Sequence, residues 1–175
     1  RLLIEPVDDA VEVVTSTEEN RRILEIGGRP YDIKLGEGGR LAYVSDWAGA
    51  RIVVVDAGQL HVVDEIPVGE HPNQIVLTPD GRRLFVACGS TNEVWCIDTL
   101  RGTVTEVIST ALFPNAPEGS TPDAVAVSPD GGSLFVANAD NNCIAVVDIA
   151  TANRSRVKGF IPTGWYPTGV AFDPA

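Results

Sequence analysis

The feature that most limits the fold of this 175-residue chain is an internal repeat. Three valine-rich runs, IVVVD, VWCID and IAVVD, end in Asp56, Asp98 and Asp148, at steps of 42 and 50 residues. Pro30, Pro72 and Pro122 keep these steps, and Pro167 follows 45 residues later. Gly39, Gly81 and Gly131 keep them too, as do the aromatics Tyr43, Phe85 and Phe135. The extra length of the third unit lies in one insert, FPNAPEGSTP, at 113–122.

Each unit reads as four short strands. The first follows the proline (QIVLT at 74–78, AVAVS at 124–128, GVAFD at 169–173) and is almost wholly apolar, as suits a strand covered on both faces. A turn follows, PDGRR or PDGGS, in which Pro pre-sets φ, Asp caps and Gly supplies a positive φ. The second strand is LAYVS, LFVAC or LFVAN, and the third is the valine-rich run. The fourth alternates, as in HVVDEIPVG and TVTEVIS, which fits an outer strand with one wet face. The recurrent Asp56, Asp98 and Asp148 read as turn formers that accept local backbone N–H bonds.

A lone four-stranded antiparallel sheet leaves both faces bare, whereas sheets stacked about an axis bury them. The expected fold is therefore all-β, a β-propeller of four-stranded antiparallel blades. The units divide into a partial blade at 1–27, blades at 28–69, 70–119 and 120–164, and a first strand of a further or shared blade at 165–175. In the partial blade, Val11 to Thr15 takes the place of the valine-rich run, with Thr15 where Asp is expected. Three ring closures are open: four blades within one chain, two chains paired as an eight-bladed homodimer, or a portion of a seven- or eight-bladed protein. The chain begins at Arg1 and contains no Met, which suggests a mature form or a segment of a longer protein.

Composition narrows the partners. Thirteen Lys and Arg against 24 Asp and Glu give a net charge of −11, and the one basic cluster, Arg82-Arg83, is short. Nucleic acid is not an expected partner, because phosphate binding needs clustered cations. No apolar run approaches the roughly 18–20 residues of a membrane span. Cys88, Cys96 and Cys143 have no CxxC or metal-ligand spacing and sit in apolar strand patterns, as buried thiols or as one bridge with a thiol left over. CxxCH, GxGxxG and GxxxxGK[ST] are absent, so no cofactor is expected.

The units PDGRRLFVACGSTNEVWCIDTLRG and PDGGSLFVANADNNCIAVVDIATANR resemble the YVTN-type β-propeller repeat, over nearly the whole chain. Departures are GEGGR in place of PDG, and Asp46 and Cys88 where Asn138 fits the family's Asn. The resemblance implies an extracytoplasmic protein, periplasmic or extracellular: a surface-layer protein, a binding or scaffold propeller, or the propeller subunit of a redox enzyme. PEGSTPDAVAVSPDGGSLFVANADNN and IPTGWYPTGVAFDP resemble propellers fused to an alkaline-phosphatase-like phosphoesterase domain, which these residues do not include.

In a propeller the fourth-to-first and second-to-third connections share one face, around the channel. That face is expected to gather Arg29, Tyr31, Trp47, His71, Asn73, Trp165 and Tyr166, together with Asp46, Asn138 and Asp140. Aromatics among a few polar groups suit a protein, peptide or polymer ligand; the same residues would equally serve to pack seams and cap loops. His71 is placed to act as a base, but no G-x-S-x-G accompanies it. Asp46, Asp140, Asn141 and Asn142 carry oxygen ligands without the dense pattern of a calcium loop, and no metal site is expected. The expected role is a non-catalytic binding or scaffold propeller, the alternative a propeller portion of a larger hydrolase or redox enzyme.

Overall fold

The computed structural model describes residues 3–7, 9–14 and 21–172. Thr15, where the repeat would place an aspartate, lies outside them. Among the described residues, fifteen strands make four antiparallel sheets. The first has three strands, β1 (Leu3–Val7), β2 (Ala10–Val14) and β3 (Arg21–Glu25). The next three have four each: β4 (Pro30–Leu35) to β7 (His61–Pro67) with β5 (Leu41–Asp46) and β6 (Arg51–Asp56) between; β8 (Pro72–Leu77), β9 (Arg83–Cys88), β10 (Glu93–Asp98) and β11 (Thr103–Ser109); and β12 (Pro122–Val127), β13 (Ser133–Asn138), β14 (Cys143–Asp148) and β15 (Arg156–Pro162). Each is a meander in chain order, and no α-helix occurs among the described residues. This is the expected β-propeller arrangement of four-stranded blades.

Strand parity builds the packing, because successive side chains point to opposite faces. Along β9, Leu84, Val86 and Cys88 pack back onto Tyr43, Ile52 and Val54 of the preceding blade. Phe85 and Ala87 face the other way and join Val125, Leu134, Val136 and Val147 of the next. A third cluster sets Ile26 against Ala42, Val44, Val53 and Val55. The core is thus a series of seams. Among the described residues, none of these clusters joins the β12–β15 sheet to the three-stranded sheet.

Polar bonds lock the seams at the inner strands, where β4, β8 and β12 pack on one another. Asp32 Oδ2 accepts from the Ile75 N–H of the next blade at 3.0 Å, and Gln74 Oε1 repeats the bond to the Val125 N–H at 2.8 Å. Ala124 holds the corresponding place in the third blade and has no side-chain acceptor to offer. The Ser45 hydroxyl donates to the Asn73 carbonyl at 2.8 Å across the same interface.

The strand expected at 169–173 does not form over the described residues. Residues 163–172 carry no ladder, because no second strand lies beside them among the described residues. Even so, Phe172 meets Phe135 edge-on at 5.2 Å, on the face that β13 would present to a following blade.

The turn aspartates do what their position requires. Asp56 Oδ1 accepts from the Gly58 and Gln59 N–H groups, Asp98 Oδ1 from Leu100 and Arg101, and Asp148 Oδ1 from Ala150. In the PDG turns, Asp80 accepts from the Thr78 hydroxyl and the Arg82 N–H, and Asp130 from Ser128 and Gly132. These bonds favour the ionised form. The carboxyls of Asp56 and Asp148 are lowered chiefly by backbone N–H groups, and those of Asp80 and Asp130 chiefly by the hydroxyls.

Two predictions follow from this packing. Phe85→Ala should cost about 3–5 kcal/mol and Phe135→Ala roughly half of that or less, since only the first ring is sealed between two blades; urea unfolding measures both. The four lowered carboxyls bind protons more weakly folded than unfolded, so their contribution is full above the ordinary value of 3.8 and lost as pH falls through the lower folded values. The thermal midpoint should therefore drop as pH falls below about 4, less steeply in Asp130→Ala.

Candidate functional site

The connections after the fourth strands and after the second strands meet at one end of the blades, and the backbone shows why. Trp47 N–H donates to the Arg29 carbonyl at 2.8 Å, Gly89 N–H to His71 at 2.8 Å and Ala139 N–H to Thr121 at 3.0 Å. Each acceptor precedes a proline, and His71, Thr121 and Tyr166 adopt φ of 52°, 48° and 49°. A non-glycine in this left-handed region before proline costs about 1–3 kcal/mol, which the loop-to-loop bonds offset.

Three of the expected residues form a stack at this end. The Arg29 guanidinium lies 5.1 Å over the Trp47 ring, and Trp47 stacks on the His71 imidazole at 3.9 Å with 20° between planes. His71 Nδ1 is hydrogen-bonded to the Ser90 hydroxyl. The stack crosses the seam between the first and second four-stranded blades. Gly89 and Ala139 stand where Trp47 stands in the other four-stranded blades, so among these three only the first bears the ring.

A second group forms beside the inner strands. Tyr31, Asn73 and Asp123 each follow the blade proline, and the geometry brings them together. Asn73 Nδ2 donates to Asp123 Oδ1 at 3.0 Å, and the Tyr31 hydroxyl lies close enough to the same carboxylate for each to shift the other. Burial pushes the Asp123 carboxyl up, partly offset by the Tyr31 hydroxyl. Tyr31 is raised by its own burial and then by Asp123, Asp32 and Tyr166. Tyr166 is thus near Tyr31, held by its N–H on Asn142 Oδ1 at 2.7 Å. Sequence reasoning passed over Asp123, although its place after Pro122 matches those of Tyr31 and Asn73. Ser90 carried no signal beyond its position in the GSTN loop.

Other expected residues are structural. Asp46 is fully buried at the end of β5. Its carboxylate accepts from Arg29 N at 2.7 Å, Gly49 N at 3.1 Å and Arg51 Nε at 2.9 Å. A Cβ on Gly28 or Gly49 would fall on this carboxylate, so both glycines make room for it. Asn138, also fully buried, donates from Nδ2 to the Thr110 carbonyl at 2.8 Å and accepts from the Thr110 hydroxyl at 3.2 Å. Asn73 is buried as well. Asp140 accepts from the Thr121 hydroxyl at the surface. Trp165 is 91% exposed and stacks on no other ring.

The three cysteines are buried free thiols. Burial raises all of them, Cys88 to about 12, so their thiolates are not populated at neutral pH. Among the described residues no group of three or more His, Cys, Asp or Glu side chains is placed to hold a metal ion. No helix among them is long and apolar enough to cross a membrane.

No family model matches the chain. Antigen Lp49 of Leptospira interrogans is 33% identical over 109 residues, covering 53% of this chain and 24% of the antigen. Among solved structures, hydrazine synthase of Kuenenia stuttgartiensis matches with a TM-score of 0.72 at 25% identity, over 86% of this chain and 44% of that one. A proposed 6-phosphogluconolactonase of Bacteroides uniformis gives 0.80 at 14% identity, over 99% of this chain and 57% of that one. A protein from Lactobacillus plantarum gives 0.75 at 20% identity, over 92% and 53%. This chain therefore spans about a quarter of the antigen and about half of each matched structure.

Asp46→Ala would leave Arg51 and two loop N–H groups without their buried acceptor, and should cost about 3–5 kcal/mol. Asn138→Ala should cost about 1–3 kcal/mol. Guanidinium unfolding of the two variants checks the order.

Proposed function

We propose that these blades belong to a non-catalytic binding or scaffold propeller of the YVTN-repeat type, working outside the cytoplasm. The loop-bearing end would be the binding face, and its ligand a peptide, a polymer or a partner domain. The observation that carries this reading is the Arg29–Trp47–His71 stack, where two aromatic planes and a cation lie partly open to solvent across a blade seam. Such groups give contact area at low entropic cost, and the stack holds them in place before a ligand arrives. Trp165, with its exposed ring, and the Tyr31–Asp123 pair would extend the same face toward the axis. Further blades would come from more of the same polypeptide or from a second copy, a homodimer closing the ring. Nucleic acid does not enter this reading, because at net charge −11 the chain lacks the clustered cations that phosphate binding needs, and no cofactor motif enters it either.

A second reading has its own support. At 25% identity the chain aligns with 44% of a hydrazine synthase chain, so sheets of this kind also occur inside an enzyme. On that reading these blades would be the propeller portion of a larger hydrolase or redox enzyme, with the reacting groups elsewhere.

Peptides selected by phage display on the immobilised protein test the first reading. Trp47→Ala should weaken the selected peptides by at least about tenfold while moving the thermal midpoint by less than about 2 °C. Unchanged affinity, or a large loss of stability in its place, would show that the stack only packs the seam.

A further inference from the structure

The opposite end of the same seam carries a pocket with different chemistry. Its volume is about 420 Å³, within the range of small-molecule sites, and it opens between the first and second four-stranded blades at the turns away from the aromatic face. Arg40 and Arg82 stand at its sides, and Leu41, Tyr43, Thr99 and Leu100 supply the rest of its side-chain lining. A smaller pocket of about 210 Å³ adjoins it, sharing four of these residues and adding Arg101. On a chain of net charge −11, two arginines stand at this hollow and a third at its neighbour, where Asp64 is also part of the wall.

The repeat shows how the pocket arises. At the turn between their first two strands, the second and third blades carry Asp80 and Asp130, whose carboxylates cap the turn. The first blade has Gly38 at that place, in a 3-10 turn over Glu37–Gly39 with Gly38 at φ 73°. One capping carboxylate is therefore missing from the side of the hollow. The position of Tyr43 is phenylalanine in the other two blades, and its hydroxyl reaches Thr99. In the next seam, Gly132 stands in place of Arg82, Ile149 in place of Thr99 and Ala150 in place of Leu100. Several departures from the repeat thus gather at this hollow.

The arginines differ in their engagement. Arg40 lies 3.5 Å from Asp56, and Arg101 lies 3.5 Å from Asp98; both acceptor carboxylates also hold turn N–H groups. Arg82 makes no ion pair among the described residues; its backbone N–H donates to Asp80 and its carbonyl accepts from the Thr99 N–H, while its guanidinium makes no hydrogen bond among them. Leu100 is 82% exposed at the rim, an apolar side chain without a partner.

We propose that this hollow binds a small organic anion, a phosphate ester or carboxylate carrying an apolar group. Arg82 and Arg40 take the oxyanion through charge-assisted hydrogen bonds, and Leu41, Leu100 and the Tyr43 ring cover the apolar part. The site is separate from the aromatic face and does not depend on what that face binds.

Phenyl phosphate is the test probe, with inorganic phosphate and benzyl alcohol as its two halves. Calorimetry should give saturable binding of phenyl phosphate below about 1 mM, with either half at least about tenfold weaker. Amide NMR shifts should centre on Gly81, Arg82, Thr99 and Leu100. Arg82→Ala should weaken the probe about tenfold, and Leu100→Glu, at an exposed position that carries the test should Arg82→Ala fail to fold, should repel it to a similar degree. The proposal is overturned by no saturation up to about 10 mM, by benzyl alcohol binding equally well, by shifts centred elsewhere, or by Leu100→Glu binding like the parent.

Discussion

A four-stranded sheet of this size cannot cover its own faces, and everything else in the molecule answers to that. Each blade buries one parity of its strands against the blade before it and the other parity against the blade after it. Leu84 and Val86 go one way and Phe85 the other, and all three are fully buried only because both neighbours are present. Stability in such an arrangement is close to a sum of seams. The half-buried Phe135, whose ring meets Phe172 edge-on, shows what a blade lacks when the next seam is unfilled.

Because the seam core tolerates little change, variation collects where strands end. The last position of the second strand points back toward the preceding blade's loops, and the three blades fill it with Asp46, Cys88 and Asn138. The aspartate brings a charge, so it requires Arg51, two N–H donors and two glycines that leave it room. The asparagine needs only the backbone and hydroxyl of Thr110. The cysteine is small and weakly polar, sits in the apolar cluster and has its thiol driven to the neutral form. One geometric slot thus has three chemical solutions, each with its own supporting residues.

Much of this was legible in the sequence, for a physical reason: turns and strand parity are local. Pro, Asp and Gly act within four residues, so the PDG turns and the aspartates that close the third strands were readable without a structure. Parity also bears on the candidate site. Asn138 shares a face with Leu134 and Val136, so a strict count of two would have sent it into the seam rather than onto a binding surface. The same count would have sent Asp46 there with Ala42 and Val44. What sequence could not supply was contact between blades. Nothing local to Trp47 says that it lies on His71, 24 residues later, or that Ser90 closes the set. Asp123 was within reach of the repeat, since it holds the place of Tyr31 and Asn73. The strand expected at 169–173 carries no ladder over the described residues for the opposite reason: its composition is right, but a ladder is a property of two strands.

The departures from the repeat are not spread evenly. The seam between the first and second four-stranded blades has Trp47 where the others have Gly or Ala, and His71 bonded to Ser90 at one end. At the other end it has Gly38 for Asp, Tyr43 for Phe, and Arg82 and Leu100 where the next seam has Gly132 and Ala150. The middle of that seam, Ile52, Ile75, Leu84 and Val86, is as apolar and as tightly buried as its neighbour. A repeat protein can change the two ends of a seam without disturbing its middle, since the ends are loops anchored by backbone bonds and the middle is side-chain packing. Recognition chemistry can therefore be concentrated on a single seam while the ring geometry stays uniform, and here both ends of one seam have been altered together.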